Sequence, residues 1–177
     1  AHEPEHSVQI EVPLVQSRYP SFKLVPIVAG QCSYKTIVRV AGILRGLVDD
    51  RTLLIASSDF VHYGPQYGYV PFRDDIAANL RKLDMGAYAC IERLDARGFL
   101  DYVEKTGATI CGRIPVAILL ATLDSAATPR LVQYTTSGQL TGDFANSVSY
   151  LAVAFSGRFG PGAGTQPQTA GTALSAQ

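Results

Sequence analysis

Three stretches of this sequence carry side chains able to do chemistry. In Ser57-Ser58-Asp59-Phe60-Val61-His62-Tyr63-Gly64 a carboxylate, Asp59, stands three residues from an imidazole, His62. A carboxylate beside an imidazole can hold its tautomer, raise its basicity or share a metal ion with it. Gly64 lets the backbone come close to a ligand. The plainer alternative is that Asp59 caps a loop and His62 is an ordinary loop histidine. In Thr109-Ile110-Cys111-Gly112-Arg113-Ile114-Pro115 a cysteine sits where a loop meets an apolar helix. A helix N-terminus and the charge of Arg113 favour a thiolate able to bind metal or attack an electrophile. The alternative is an inert buried thiol, the commoner fate of a free cysteine. Cys90 among Ala89, Ile91 and Leu94, and Cys32 beside a turn, illustrate that fate. The third stretch holds His2, Glu5 and His6, close enough in sequence to share a metal or a proton, although Pro4 disfavours a regular helix there. Spacing also allows a Cys-His nucleophilic pair of Cys111 and His62. A Walker loop, a GxGxxG after a strand and a GxSxG elbow are all absent, so the common nucleotide-binding and hydrolase signatures are missing.

These residues need a scaffold, and the hydrophobic pattern supplies one by alternating strands and helices. Residues 22–28 are β-branched and apolar, as in a buried strand, with Pro26 marking its end or an edge. The spacing of Ile37, Val40, Ala41, Leu44, Leu47 and Val48 predicts a helix over 33–49 with Ser33 as its N-cap. Residues 51–60 run apolar and then turn abruptly polar, like a buried strand emerging at its carboxyl end, where ligand sites gather. After an aromatic, glycine-containing loop over 61–72, helices are predicted over 73–83, 86–93 and 96–106, the last ended by Gly107. Residues 114–123 form a nearly all-apolar helix with Pro115 in its first turn. Residues 130–136 and 147–155 are β-rich and expected to be adjacent and antiparallel. The result is a layered α/β domain over 1–156. Residues 157–177 are Gly, Pro, Ala, Ser, Thr and Gln-rich and are expected to form a disordered tail.

With 177 residues, 47% of them hydrophobic and 17% charged, the chain has room for one domain with a real core. Fifteen basic side chains balance fifteen acidic ones, so no basic excess is available for nucleic acid. Three scattered cysteines fit neither a disulfide framework nor a zinc ribbon and suit a reducing, cytoplasmic setting. No apolar run approaches the roughly 20 residues of a membrane span, so no membrane partner is expected. A start at Ala1 without methionine is expected of a processed chain or a piece of a longer gene product.

Glu5-His6-Ser7, the Ser57 to Gly64 stretch and the Thr109 to Pro115 stretch resemble, in order and spacing, three motifs of the Memo family. That family includes an animal mediator of cell motility and the AmmeMemoRadiSam system protein B of bacteria and archaea. The resemblance covers residues 1–155. It implies a three-layer α/β/α sandwich similar to class III extradiol dioxygenases, of which this chain matches the C-terminal part. It also implies, in the complete protein, a non-haem metal pocket for iron(II) or copper in which Cys111 is a metal ligand, with tight binding of either ion not expected of this chain alone. His62 matches the acid–base histidine of the dioxygenases, and Asp59 lines the same pocket. Glu5 and His6 would lie at the rim and, with Tyr63 and Arg113, would touch substrate. Two metal-binding histidines of the family come from an N-terminal half with no counterpart here. Self-association or a complementing N-terminal segment is the implied consequence. Two functions follow: redox or dioxygenase-like chemistry on a small molecule, or a non-catalytic scaffold that holds a peptide in the same cleft, with Tyr63, Tyr67, Tyr69 and Phe72 as anchors.

Overall fold

The computed structural model describes residues 6–157. Helix α1 (Ser7–Arg18) leads into α2 (Tyr34–Leu47), a short strand β1 (His62–Tyr63) and a 3-10 turn at Pro65–Tyr67. Helices α3 (Ile76–Glu92), α4 (Ala96–Thr106) and α5 (Arg113–Thr122) follow, then β2 (Thr128–Thr136), the one-turn α6 (Ser137–Thr141) and β3 (Ser147–Ser156). The sheet is open and antiparallel in the order β1-β3-β2. The described residues thus combine helices with a small sheet, compatible with an α/β assignment. No helix among them is long and apolar enough to cross a membrane.

The helix signals in the sequence mostly act where they stand. Ser33 caps α2 by accepting from Thr36 N–H at 3.2 Å. Gly107, at φ 68, ends α4 in the left-handed conformation that costs glycine little. Pro115 lies in the first turn of α5, where its missing N–H is not needed. The separate helices predicted over 73–83 and 86–93 are in fact one, α3, and Gly86 lies inside it. A Cβ at Gly86 would collide with the Tyr102 ring, whose hydroxyl donates to Leu83 O at 2.9 Å. That glycine is an approach point for α4 rather than a break. Helix α1 was not foreseen; it encloses Pro13 and buries none of its residues.

The two strands expected over 22–28 and 51–60 do not form. Both segments are extended, but a strand needs a neighbour to satisfy its ladder, and among the described residues neither has one along its length. Only at Phe60 does the second segment reach the sheet, donating from its N–H to Ser149 O at 2.8 Å. The expected pairing of the last two strands does form. Strand β3 runs antiparallel to β2 from Ser149 to Ser156, with a bulge between Leu131 and Gln133. The tail beyond Gly157 lies outside the described residues.

The core sits where α3, α4 and α5 meet the sheet. Phe99, Leu80, Ile110 and Val61 are fully buried there, and α2 adds Ile37 and Ala41. Each large apolar side chain withdrawn from water in this way contributes about 1.5–3 kcal/mol.

Candidate metal centre

The site is built where residues 58–62 leave the extended segment and meet the loop that opens α5. Ser58 is the clasp between them. Its hydroxyl donates to Asp59 O at 2.7 Å and accepts from Gly112 N–H at 3.0 Å. Only glycine fits at 112, because a Cβ there would collide with the Ser58 side chain and the Ser57 carbonyl. This close approach brings Cys111 onto the end of the extended segment, where its Sγ accepts from Asp59 N–H at 3.3 Å.

His62 is held from behind. The Thr109 hydroxyl accepts from His62 N–H at 2.9 Å and donates to His62 O at 2.7 Å, fixing both sides of that peptide unit. The imidazole stands 5.2 Å from the Tyr67 ring. Its Nε2 lies 3.5 Å from Asp59 Oδ2, beyond a good hydrogen bond. That nitrogen is buried and without a hydrogen-bond partner, an arrangement that costs free energy unless something else is coordinated there.

Asp59, His62 and Cys111 together form the one group of potential metal ligands among the described residues, each offering an atom within 4.8 Å of the others. Asp59 and Cys111 are open to solvent and His62 only partly so, which leaves a face free for an incoming molecule. A thiol, an imidazole and a carboxylate make a mixed donor set of the kind that suits a transition metal rather than magnesium or calcium. The three residues therefore form a possible metal-ligand group.

The profile of Memo-like proteins matches residues 1–154. The chain belongs to the Memo-like family. It is 32% identical over 158 residues to a MEMO1 family protein of Methanosarcina acetivorans, covering 86% of this chain and 55% of that protein. It is 29% identical over 167 residues to a MEMO1 family protein of Thermococcus onnurineus, covering 88% and 57%. Against a memo-1 homolog of Caenorhabditis elegans it is 28% identical over 164 residues, covering 85% and 47%. This Memo-like chain thus spans about half the length of the curated relatives it matches.

The other residues singled out by sequence in this Memo-like chain are placed as follows. Arg113 is next to the site, with its guanidinium donating to Gln31 Oε1 at 2.8 Å. Tyr63 is buried and stacked 5.2 Å from Phe72, and its hydroxyl donates to Phe72 O at 2.7 Å. In this position it walls the loop. His6 stands exposed at the N-cap of α1, 3.1 Å from Gln9 Oε1, and is not among the clustered ligands. Glu5 lies outside the described residues.

One residue near the Memo-like site escaped the sequence reading. Asp84, on α3, is completely buried; it accepts from Val61 N–H at 3.3 Å and from the Tyr134 hydroxyl at 2.9 Å. The buried Ser149 hydroxyl lies beside it without completing a good hydrogen bond. Burial pushes the Asp84 carboxyl up to about 6 against the lowering effect of these partners. Burial and the neighbouring Asp84 together push the Tyr134 phenol up as well. The available signal was a carboxylate on the apolar stripe of Leu80, Ala87 and Ile91. Asp84 thus ties α3 and β2 to the peptide unit between the two candidate ligands Asp59 and His62.

Proposed function

We propose that this Memo-like chain carries part of a non-haem metal pocket for iron(II) or copper that serves redox or dioxygenase-like chemistry on a small molecule. The observation that carries the reading is the orphaned His62 Nε2 beside Asp59 and Cys111. Within the proposal, the complete protein has the three-layer α/β/α sandwich of the class III extradiol dioxygenases, and the remaining ligands come from the part of the family length that this chain does not span.

A bound ion of this kind supplies one-electron steps or the activation of oxygen. The chain's residues do the rest. Cys111 presents its sulfur as a thiolate donor, held in place by the Asp59 N–H. His62 offers Nε2 either as a ligand or as the base that holds a proton from substrate, and Thr109 keeps the residue in position for both roles. Asp59 orients the imidazole or a water molecule. Arg113 is placed to receive an anionic group of substrate. In the second reading, a peptide held by the aromatic loop, the exposed anchor is Tyr67, since the Tyr63 and Tyr69 hydroxyls are spent on backbone carbonyls.

Elemental analysis and anaerobic calorimetry with iron(II) and copper(I), on the chain joined to the part of the family length that it does not span, test the metal reading. The expected result is about one equivalent bound, and for Cys111→Ser a loss of affinity exceeding the roughly 10- to 100-fold that removal of a supporting residue costs. Absence of uptake of either ion, or a Cys111→Ser variant that binds unchanged, would remove the metal reading in favour of peptide capture.

A further inference from the structure

In a regular strand successive side chains alternate between the two faces, so residues three apart point opposite ways. Asp59 and His62 are three apart, yet Nε2 of His62 lies 3.5 Å from Oδ2 of Asp59. One extra residue between them accounts for this. His62 and Tyr63 pair with Val148 and Ser147 in regular antiparallel register. At the next step Ser149 meets two residues instead of one: Phe60 N–H donates to Ser149 O at 2.8 Å, and Ser149 N–H donates to Val61 O at 2.9 Å. Two residues against one is the count of a β-bulge, and Phe60 and Val61 are both buried although adjacent. The bulge changes the face on which Asp59 leaves the sheet and brings its carboxylate onto the side of His62.

A bulge disrupts the ladder locally and leaves a backbone group in need of another partner. Here that group is the N–H of Val61, a fully buried residue, because Phe60 N–H has taken Ser149 O. An N–H orphaned away from water is among the rarest defects of folded proteins. Asp84 of α3 meets the need: its Oδ1 accepts from Val61 N–H at 3.3 Å, while its Oδ2 accepts from the Tyr134 hydroxyl of β2 at 2.9 Å. Tyr134 in turn lies under the Arg81 guanidinium, 5.0 Å from its ring centroid. The carboxyl is therefore fixed at both oxygens. Thr109 grips the N–H and the carbonyl of His62, so loss of the Asp84 acceptor would leave His62 in place and release the residues before it. The pairing that satisfies Val61 N–H without Asp84 is the regular one, with Ser149 O as acceptor and Phe60 moved on by one step. In that register Asp59 turns to the opposite face, away from His62 and from the Cys111 sulfur.

We infer that Asp84 is the positioning residue of the candidate site: its carboxyl supplies the acceptor that the bulge denies to Val61 N–H, and by holding the bulge it keeps Asp59 and His62 on one face. A buried carboxyl is a poor choice for packing alone, since its desolvation is unfavourable and an apolar side chain would fill the same stripe of α3 without needing partners. A requirement for an acceptor at this point explains its presence. The inference rests on the proposed function only in taking Asp59 and His62 to act together. None of its readouts involves a metal, so a failure of metal uptake and a failure of the positioning role are told apart.

The test is NMR spectroscopy of the full chain in the presence of a chelator, reading hydrogen exchange at the Val61 amide and the nuclear Overhauser contact between the Asp59 β-protons and the His62 ring. In the wild type the contact should be present, and Val61 should exchange as slowly as the Leu80 amide in the middle of α3. Asp84→Ala removes the acceptor; it should raise Val61 exchange about 10-fold or more relative to Leu80 and abolish the Asp59–His62 contact. Asp84→Asn keeps an acceptor for Val61 N–H and should retain both signals. Tyr134→Phe removes the other hydrogen bond to the same carboxyl without touching Val61, and it too should retain both, which separates positioning from a general loss of stability. The inference is overturned if the contact survives in folded Asp84→Ala, or if Tyr134→Phe abolishes it as well. Should Asp84→Ala not fold, the wild type and Asp84→Asn decide: fast exchange at Val61 in the first, or loss of the contact in the second, overturns the inference.

Discussion

Residues 60–157 and residues 7–59 belong to one chain of nearly uniform hydrophobicity, yet they meet water very differently. Apart from Ile37 and Ala41, every buried apolar side chain of the described residues comes from position 60 onward. Thirteen of the seventeen large apolar side chains left exposed come from before it. Single exposed leucines are ordinary on a protein surface, but a concentration of them in one third of a chain marks surface meant to be covered. The difference lies in partners rather than in composition. Helices α3, α4 and α5 close on one another and on the β2–β3 pair, whereas the strand-like segments on either side of α2 have no strand partner among the described residues. The candidate site lies on the border, with Asp59 at the end of the open part and His62 and Cys111 in the closed part.

The largest expected effect on this contrast is in the closed part. Phe99 is fully buried at the centre of the core, so Phe99→Ala should cost about 3–5 kcal/mol in urea unfolding. A cost under about 1 kcal/mol would mean that the closed part is packed no better than the open one.

Asp84 comes next. Its carboxyl is raised from the usual 3.8 to about 6 in the folded chain. The protonated form therefore favours folding: the contribution is fully present below the unfolded value and is lost as pH rises through about 6. Between pH 4 and pH 6 wild-type stability should fall by something on the order of 2–3 kcal/mol from this group. Asp84→Asn keeps an acceptor for Val61 N–H, and that fall should be absent from its stability curve. An unchanged slope in the variant would place the pH dependence elsewhere.

The smallest effect belongs to the open part. Val25 is 78% exposed, and Val25→Ser should change stability by no more than about 0.5 kcal/mol in the chain alone. A loss above about 1 kcal/mol would show that residues 22–28 are already covered in solution and would erase the contrast between the two regions.

Much of the molecule was legible locally. Ser33, Gly107 and Pro115 each act through geometry confined to a turn or two of backbone, so their types and positions were enough to place the ends of α2, α4 and α5. The β2–β3 pair was also readable, because the two runs lie close in sequence and need only each other. The Asp59, His62 and Cys111 motifs were visible as residue types at particular spacings.

What no spacing could supply was contact over distance. That Cys111 would meet Asp59 depends on Ser58 and Gly112 lying against each other across more than fifty residues. Asp84 falls between two helices predicted from the sequence and has no role there; only the fold brings Val61 and Tyr134 onto it. Gly86 stands at the start of a separate helix in the sequence pattern, and only the Tyr102 ring packed over it shows why a glycine lies inside α3. Residues 22–28 and 51–60 have the composition of strands, but a strand is a property of two backbones. Sequence alone determined which segments of this Memo-like chain favour helix or strand and which side chains carry chemistry. The tertiary structure decided which of those segments found a partner and which side chains met, because hydrogen-bond ladders, buried charges and ligand clusters each require a second group that the local sequence does not contain.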